Sequence, residues 1–167
     1  GVSITIPEIG NKITLSDGSY HFEELEEDVY SVTASKSEYV SEIQNIEVVA
    51  NKTKEVNFQL RAALPAQLLV NPSSLNFGEL EPSLTLDVIN AGDESLSWQI
   101  VSNQSWTSVF PSTGTTTEET DEVTVSVNRA GLSVGDYAGV LSISSNGGDL
   151  SVPYSMSVPS AGLIISA

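Results

Sequence analysis

Apolar and polar residues alternate with a period of two along most of this 167-residue chain. Such alternation is typical of strands in antiparallel sheets that have one buried face and one wet face. The turn-forming segment Ser16–Ser19 separates two of these runs, because Asp bonds its own backbone and Gly tolerates positive φ. The alternating runs are VSITI, KITL, YSVTA, IEVV, EVNFQL, SLTLDV, LSWQI, EVTVSV, GVLSIS and LSVPYSMSV.

The pattern predicts an all-β fold made of two small antiparallel Ig-like β-sandwiches in tandem. We expect residues 1–61 to form the first sandwich and residues 67–159 the second, with residues 62–66 as a short linker. A linker of this length predicts two domains in contact. Residues 160–167 form an apolar tail, which either begins a next domain or folds back as an extra strand.

Charge narrows the range of partners. Six Lys and Arg residues stand against 22 Asp and Glu residues, which gives a net charge of −16. A nucleic acid is excluded, because such binding depends on cations that neutralise phosphates, and an anionic membrane surface is excluded for the same reason. Direct membrane insertion is not expected, since no apolar run approaches the ~18 residues of a membrane span.

The acidic residues are interpreted mainly as a solubilising surface. Calcium binding is the sharper alternative, but the chain lacks a D-x-[DN]-x-[DN]-G loop, and we predict no metal site. A salty or extracellular habitat is a third interpretation.

Residues suited to catalysis are few. The chain has no Cys and a single His, His21, which is out of phase with Tyr20 and Phe22 and is expected to face solvent. Adjacent carboxylates such as Glu23 and Glu24 are typical of solvated loops, whereas glycosidases need two carboxyls across a cleft. No glycine-rich phosphate loop occurs. We therefore expect neither an enzyme nor a cofactor.

The segment from Ser16 to Val40 carries a specific pattern of turn and apolar residues. It resembles the carboxypeptidase regulatory-like (transthyretin-like) β-sandwich, with Asp28 and Glu38 standing where that family usually has Gly. The resemblance covers nearly all of residues 1–61. The positions that carry it are Thr14, Asp17, Gly18, Tyr20, Phe22, Leu25, Tyr30 and Val32.

The family's first strand, which normally precedes GVSITI, is missing, and an open edge exposes unpaired backbone groups. Either that strand has been lost or another segment fills the edge, the tail at residues 160–167 being one candidate. The fold also resembles collagen-adhesin B-type repeats, some of which carry Lys–Asn crosslinks. Ala34 stands where the required acid would be, so no crosslink is expected.

Residues 67–158 resemble a BACON module. The matching stretches are LLVNPSSLNFG, LDVINAGDESLSWQI, the PSTGT turn at Pro111–Thr115, and the closing run from Val123 to Val158. The resemblance implies a β-sandwich that serves as a spacer or binds carbohydrate, a role inferred for the family from the domains that accompany it.

Two tryptophans stand out in this second half. Trp98 shares phase with Leu96 and Ile100 and is predicted to lie in the core. Trp106 shares phase with Phe110 and has small polar neighbours, so it is either a scaffold residue that closes one end of the sandwich or a platform for a sugar ring. Tyr137, at a turn-to-strand boundary, is the second candidate ligand-binding residue.

The sequence as a whole predicts a non-catalytic module pair from a larger bacterial cell-surface or secreted protein, acting as a spacer or adhesion scaffold. The alternative is carbohydrate binding through the BACON-like domain. The expected partners are accordingly a carbohydrate or another surface protein, together with the flanking domains of the parent chain.

Overall fold

The computed structural model describes residues 1–160, in which two compact units occur, one spanning Gly1–Ala63 and one beginning at Leu64. All regular elements of the described residues are β-strands, and nearly all strand pairs are antiparallel. The predicted all-β fold class is therefore confirmed. Within the same range, no helix has the length and apolar character to cross a membrane.

The first unit contains one four-stranded antiparallel sheet. Its strand order is β2-β1-β3-β4, so β1 is paired on both sides and the edges are β2 and β4. The strands are β1 (Ser3–Ile6), β2 (Gly10–Ile13), β3 (Asp28–Ser35) and β4 (Glu42–Val48).

The core of the first unit lies on one face of this sheet. Ile4 and Ile6 of β1 and Val32 and Ala34 of β3 are buried, as the alternation in VSITI and YSVTA predicts. Side chains from outside the sheet cover them instead of a second regular sheet. The covering side chains include Tyr20, Phe22, Leu25, Phe58 and Leu60.

The segment EVNFQL differs from its prediction as a strand. Phe58 and Leu60 pack against the core, but residues 55–60 join no strand ladder. Side chains of β4 meet their backbone groups instead: the Gln59 N–H donates to the Glu42 carboxylate at 3.0 Å, and the Gln44 amide donates to the Asn57 carbonyl at 3.0 Å. The tail proposed for an open edge, residues 160–167, lies outside the described residues except for Ser160.

The second unit is a sandwich of two sheets. One has the order β10-β8-β12-β13-β6 and the other β5-β7-β11-β9, and the β6–β13 pair is parallel. The strands are β5 (Leu68–Asn71), β6 (Leu75–Asn76), β7 (Ser83–Asn90), β8 (Leu96–Ser102), β9 (Thr107–Phe110), β10 (Thr113–Thr116), β11 (Thr120–Val127), β12 (Gly135–Ser145) and β13 (Leu150–Val158).

The alternate apolar residues of both sheets form the core of the second unit. Burial of each such side chain contributes about 1.5–3 kcal/mol relative to its exposure. Ser and Thr occupy most of the opposite positions, so the outer faces are polar. The completely buried members include Phe77, Leu86, Val88, Leu96, Val123, Val125, Leu141 and Val152.

Arg129 fixes the loop after β6 to the end of β13. It is the only Lys or Arg between Leu64 and Ser160. Its Nε donates to the Ser157 carbonyl at 3.0 Å, and its other nitrogens donate to the carbonyls of Phe77, Gly78 and Glu81 at 2.9–3.1 Å. One planar guanidinium thus satisfies four backbone acceptors, which a Lys ammonium cannot do in the same geometry.

We expect Arg129→Met to lower the free energy of unfolding of the second unit by about 1–2 kcal/mol, because four charge-assisted hydrogen bonds are lost at a partly exposed site. Both Trp residues lie in this unit, so Trp fluorescence during denaturant unfolding measures it. Gln99→Met, which changes an exposed polar side chain of β8, is the control and should shift stability by less than about 0.5 kcal/mol. Equal stability of the two variants would contradict the assigned role of Arg129.

Candidate functional site

Trp98 joins the two sheets of the second unit. It lies on β8, is 4% exposed, and its indole Nε1 donates to the Thr116 hydroxyl of β10 at 2.9 Å and to the Asp121 carboxylate of β11 at 3.0 Å. The Thr116 hydroxyl in turn donates to the same carboxylate oxygen at 2.7 Å. The prediction that Trp98 belongs to the core is therefore confirmed.

Gly114, in the PSTGT motif, has a different role from the turn residue that the sequence suggests. It lies within β10, directly opposite Trp98 in the ladder. A Cβ placed at this position would approach the Trp98 indole to 2.3 Å, so glycine is required for the strand to pass close to the ring.

Trp106 lies at the end of the sandwich, in the turn that precedes β9. Its partly buried ring packs against the core, edge-to-face with Tyr154 at 5.5 Å between centroids and with Tyr137 at 6.1 Å. Interplanar angles of 75° in both pairs fit the favourable T-shaped arrangement of aromatic rings. The structure thus brings together the two residues predicted as ligand contacts, Trp106 and Tyr137, and adds Tyr154 to them.

The tyrosine hydroxyls of this aromatic cluster, formed by Trp106, Tyr137 and Tyr154, bond within the fold. The buried Tyr154 hydroxyl lies 2.7 Å from the Ser102 hydroxyl and 2.8 Å from the Thr107 hydroxyl. Tyr137 donates to the Ser133 carbonyl at 2.8 Å. Both tyrosine hydroxyls of the cluster are therefore hydrogen-bonded within the protein.

Gly139 makes room for this cluster. It faces Tyr154 across the β12–β13 ladder, and a Cβ there would come within 2.3 Å of the Tyr154 ring. The sequence predicts Tyr154 in the core but gives no signal that it contacts Trp106, because the contact joins residues on distant strands.

The sequence places Phe110 in the same phase of the alternation as Trp106, but in the structure the two side chains do not share an environment. Phe110 is 80% exposed, whereas Thr107 and Val109 of the same strand lie on the core side. The strand periodicity does not extend back to Trp106, because residues 105 and 106 form a turn closed by the Thr107 N–H bond to the Gln104 carbonyl.

The residues considered for catalysis belong to the first unit. His21 is exposed and lies 3.4 Å from the Glu23 carboxylate. A solvent-open cleft of about 760 Å³ occurs in the first unit between β4 and residues 52–57, and no aromatic ring lines it. Among residues 1–160, no group of three or more His, Cys, Asp or Glu side chains could hold a metal ion.

The groups with shifted pKa values owe the shifts to hydrogen bonds with nearby residues or to burial. Hydrogen bonds from the backbone and hydroxyl of Ser19 lower the pKa of Asp17, and the Thr117 hydroxyl lowers the pKa of Glu119. Burial raises the pKa of Tyr20, whose hydroxyl donates to the Val56 carbonyl at 2.8 Å. Asp17 and Glu119 lie in exposed turns, and Tyr20 covers the core of the first unit.

The family model described as the viral BACON domain matches residues 67–157. The chain belongs to the viral BACON domain family. The matched range runs from the residue before β5 to the penultimate residue of β13, so the viral BACON domain coincides with the second sandwich. No curated protein matches the chain significantly.

Solved structures resemble the chain at low sequence identity. The ASH/PapD-like domain 7 of human CEP192 is 16% identical with a TM-score of 0.51, over 70% of this chain and 96% of that one. The CsuC–CsuE chaperone–tip adhesion subunit complex of Acinetobacter baumannii is 14% identical with a TM-score of 0.49, over 56% of this chain and 57% of that one. SSP-19, an MSP-domain-like protein of Caenorhabditis elegans, is 17% identical with a TM-score of 0.43, over 53% of this chain and 98% of that one. The likeness to the CEP192 domain shows the fold alone.

We expect Trp106→Ala to lower the free energy of unfolding of the viral BACON domain by about 2–3 kcal/mol, because a partly buried indole and two aromatic contacts are lost. The measurement is denaturant unfolding followed by Trp98 fluorescence. The matched control is Phe110→Ala, which removes an exposed ring four residues away and should change stability by less than about 0.5 kcal/mol. A similar small effect for both variants would show that Trp106 does not hold the end of the sandwich.

Proposed function

We propose that the chain is a non-catalytic pair of β-sandwich modules that acts as a spacer or adhesion scaffold in a larger cell-surface or secreted protein. The parent protein would be bacterial or, as the description of the matched family suggests, viral. A neighbouring domain would then carry the recognition or catalytic activity of that protein.

The engagement of the aromatic cluster within the fold is the observation that supports this proposal. A sugar platform needs a flat ring face that is open to solvent, with free hydroxyl, amide or carboxyl groups beside it. Here two tyrosine rings flank the Trp106 ring, and the hydroxyls of Tyr137 and Tyr154 already have protein partners. Among the described residues, no buried side-chain nitrogen or oxygen lacks a hydrogen-bond partner.

For the first unit we propose a carboxypeptidase regulatory-like domain in which side chains from outside the sheet take the place of a second regular sheet. Tyr20, Phe22 and Leu25, three of the residues that carry the resemblance, pack on the sheet core, and Asp17 accepts the Ser19 N–H at 2.9 Å in the turn that precedes them. These contacts support a structural origin for the sequence pattern. They give the unit a scaffold role that is consistent with a spacer.

Carbohydrate binding through the viral BACON domain is the second candidate. It is favoured by the partial exposure of Trp106 and Tyr137, which lie 6.1 Å apart at the same end of the sandwich. In this alternative, the exposed parts of the two rings would contact a sugar while the core side of the cluster stays packed.

Affinity gel electrophoresis separates the two candidates. The spacer proposal expects the chain to migrate equally in plain gels and in gels that contain neutral polysaccharides such as xylan, starch or galactomannan. Trp106→Phe keeps an aromatic ring in the cluster and tests the same site with less loss of stability than Trp106→Ala. Retardation that disappears in a folded Trp106→Phe or Tyr137→Ala variant, but not in Phe110→Ala, would overturn the spacer proposal in favour of carbohydrate binding.

A further inference from the structure

Phe110 is unusual among the aromatic residues of the chain. The sequence contains two Trp, five Tyr and four Phe residues, and all except Phe110 are buried or partly buried. Phe110 has 80% of its surface in contact with solvent. It lies on the outer face of the sheet β5-β7-β11-β9, so the core does not account for a large apolar ring at this position.

The strand that carries Phe110 has an edge suited to pairing. Among the strands of residues 1–160, β9 ends the strand order and is paired only with β11. Its residues, Thr107–Phe110, include no charged side chain, and charges on an edge strand are a common means of preventing contact with further strands. The Thr107 N–H already donates to the Gln104 carbonyl, so pairing with an extended segment would use the Thr107 carbonyl and the backbone N–H and carbonyl of Val109.

The outer face beside Phe110 holds two carboxylates in a direct cross-strand pair. Phe110 lies opposite Thr124 on β11, and two residues along β11 Glu122 lies opposite Asp87 of β7. Like charges directly opposite each other destabilise a sheet. No hydrogen bond or ion pair of the described residues involves either carboxylate.

The charge of the viral BACON domain does not compensate this pair. Its only Lys or Arg in the described range is Arg129, whose guanidinium is engaged by four backbone carbonyls. A cation that neutralises Glu122 and Asp87 would therefore come from outside this domain. A second copy of this chain is a poor candidate, because its net charge is also −16.

We propose that the free edge of β9, with Phe110, Glu122 and Asp87, is a docking site for an extended basic segment of a partner protein. The segment would add a strand to β9 through backbone hydrogen bonds. An Arg or Lys side chain on its outer face would cross the Phe110 ring, where a cation–π contact is favourable. Because neighbouring strands are about 4.8 Å apart, a long side chain can then reach Glu122, with Asp87 adding a second negative charge behind it.

The backbone contacts and the side-chain contacts contribute differently to binding. Backbone pairing supplies affinity with little dependence on the partner's sequence, whereas the ring and the carboxylates select a positively charged side chain at one position. A neutral sugar would leave both carboxylates uncompensated, so the charge of the site favours a basic partner. This site does not depend on the proposed spacer role, because it lies outside the aromatic cluster of Trp106.

The test uses the complete chain and two synthetic decapeptides, one alternating Arg and Thr and the other alternating Glu and Thr. Binding is measured by calorimetry, and its location by two-dimensional amide NMR. We expect saturable one-to-one binding of the Arg peptide, with shifts centred on Thr107–Phe110 and Glu122. We expect no binding of the Glu peptide, and weaker binding of the Arg peptide at higher salt.

The variants distinguish this site from general attraction to an acidic protein. Phe110→Ala and Glu122→Gln should each weaken binding of the Arg peptide by about tenfold. Leu80→Ala, at another exposed apolar residue, and Glu118→Gln, at another exposed carboxylate, are the matched controls and should leave affinity unchanged. Glu122→Gln should also raise the melting temperature, since it relieves the repulsion from Asp87, which shows that the variant is folded.

Three results would overturn the proposal: no saturable binding of the Arg peptide, amide shifts spread over the acidic surface without a centre at β9, or equal effects of Phe110→Ala and Leu80→Ala. Binding of a neutral oligosaccharide that depends on Phe110 would also overturn it, because the site would then select a sugar instead of a cation. The gel test of the spacer proposal depends on Trp106, so either proposal can fail without the other.

Discussion

A single indole N–H connects the two sheets of the viral BACON domain. Trp98 of one sheet donates to Asp121 of the other, while Thr116 donates to the same carboxylate and accepts from the same indole. The Asp121 carboxylate accepts both hydrogen bonds, and a buried donor such as the Trp98 N–H is costly to leave without a partner. The close passage of β10 at Gly114 depends on the same ring. The Trp98 side chain therefore contacts β10 and β11 as well as its own strand, β8.

The rest of the domain uses its larger polar and aromatic side chains in a similar way. Arg129 satisfies four carbonyls at the end of β13, and Tyr154 links Ser102 to Thr107 beneath Trp106. These residues hold loops and strand ends that hydrophobic packing alone does not position. Packing within the fold therefore accounts for these side chains, whereas it does not account for the exposed ring of Phe110.

Periodicity in the sequence correctly predicts the inward face of strands such as β11, where Val123 and Val125 are buried, but in the KITL run Ile13 and Leu15 are both exposed. It fails where a contact or a turn intervenes. Residues 55–60 read as a strand, but the side chains of Glu42 and Gln44 take the place of a ladder. The alternation assigns Trp106 and Phe110 to the same face, but a turn separates them, so that Trp106 packs against the core and Phe110 is exposed. The cross-strand pairs Gly114–Trp98, Gly139–Tyr154 and Glu122–Asp87 depend on register, which the sequence alone does not provide.

Hydrogen exchange of the Trp98 indole proton tests the central role of the Trp98–Thr116–Asp121 network most directly. If the network holds the two sheets together, this proton exchanges only when the whole domain unfolds. The free energy of opening calculated from its exchange rate should then equal the free energy of unfolding measured by denaturant titration and Trp fluorescence. In Thr116→Val, both free energies should fall by the same amount. Exchange of the Trp98 indole proton at the rate of an exposed indole, in a domain that remains folded, would contradict the account.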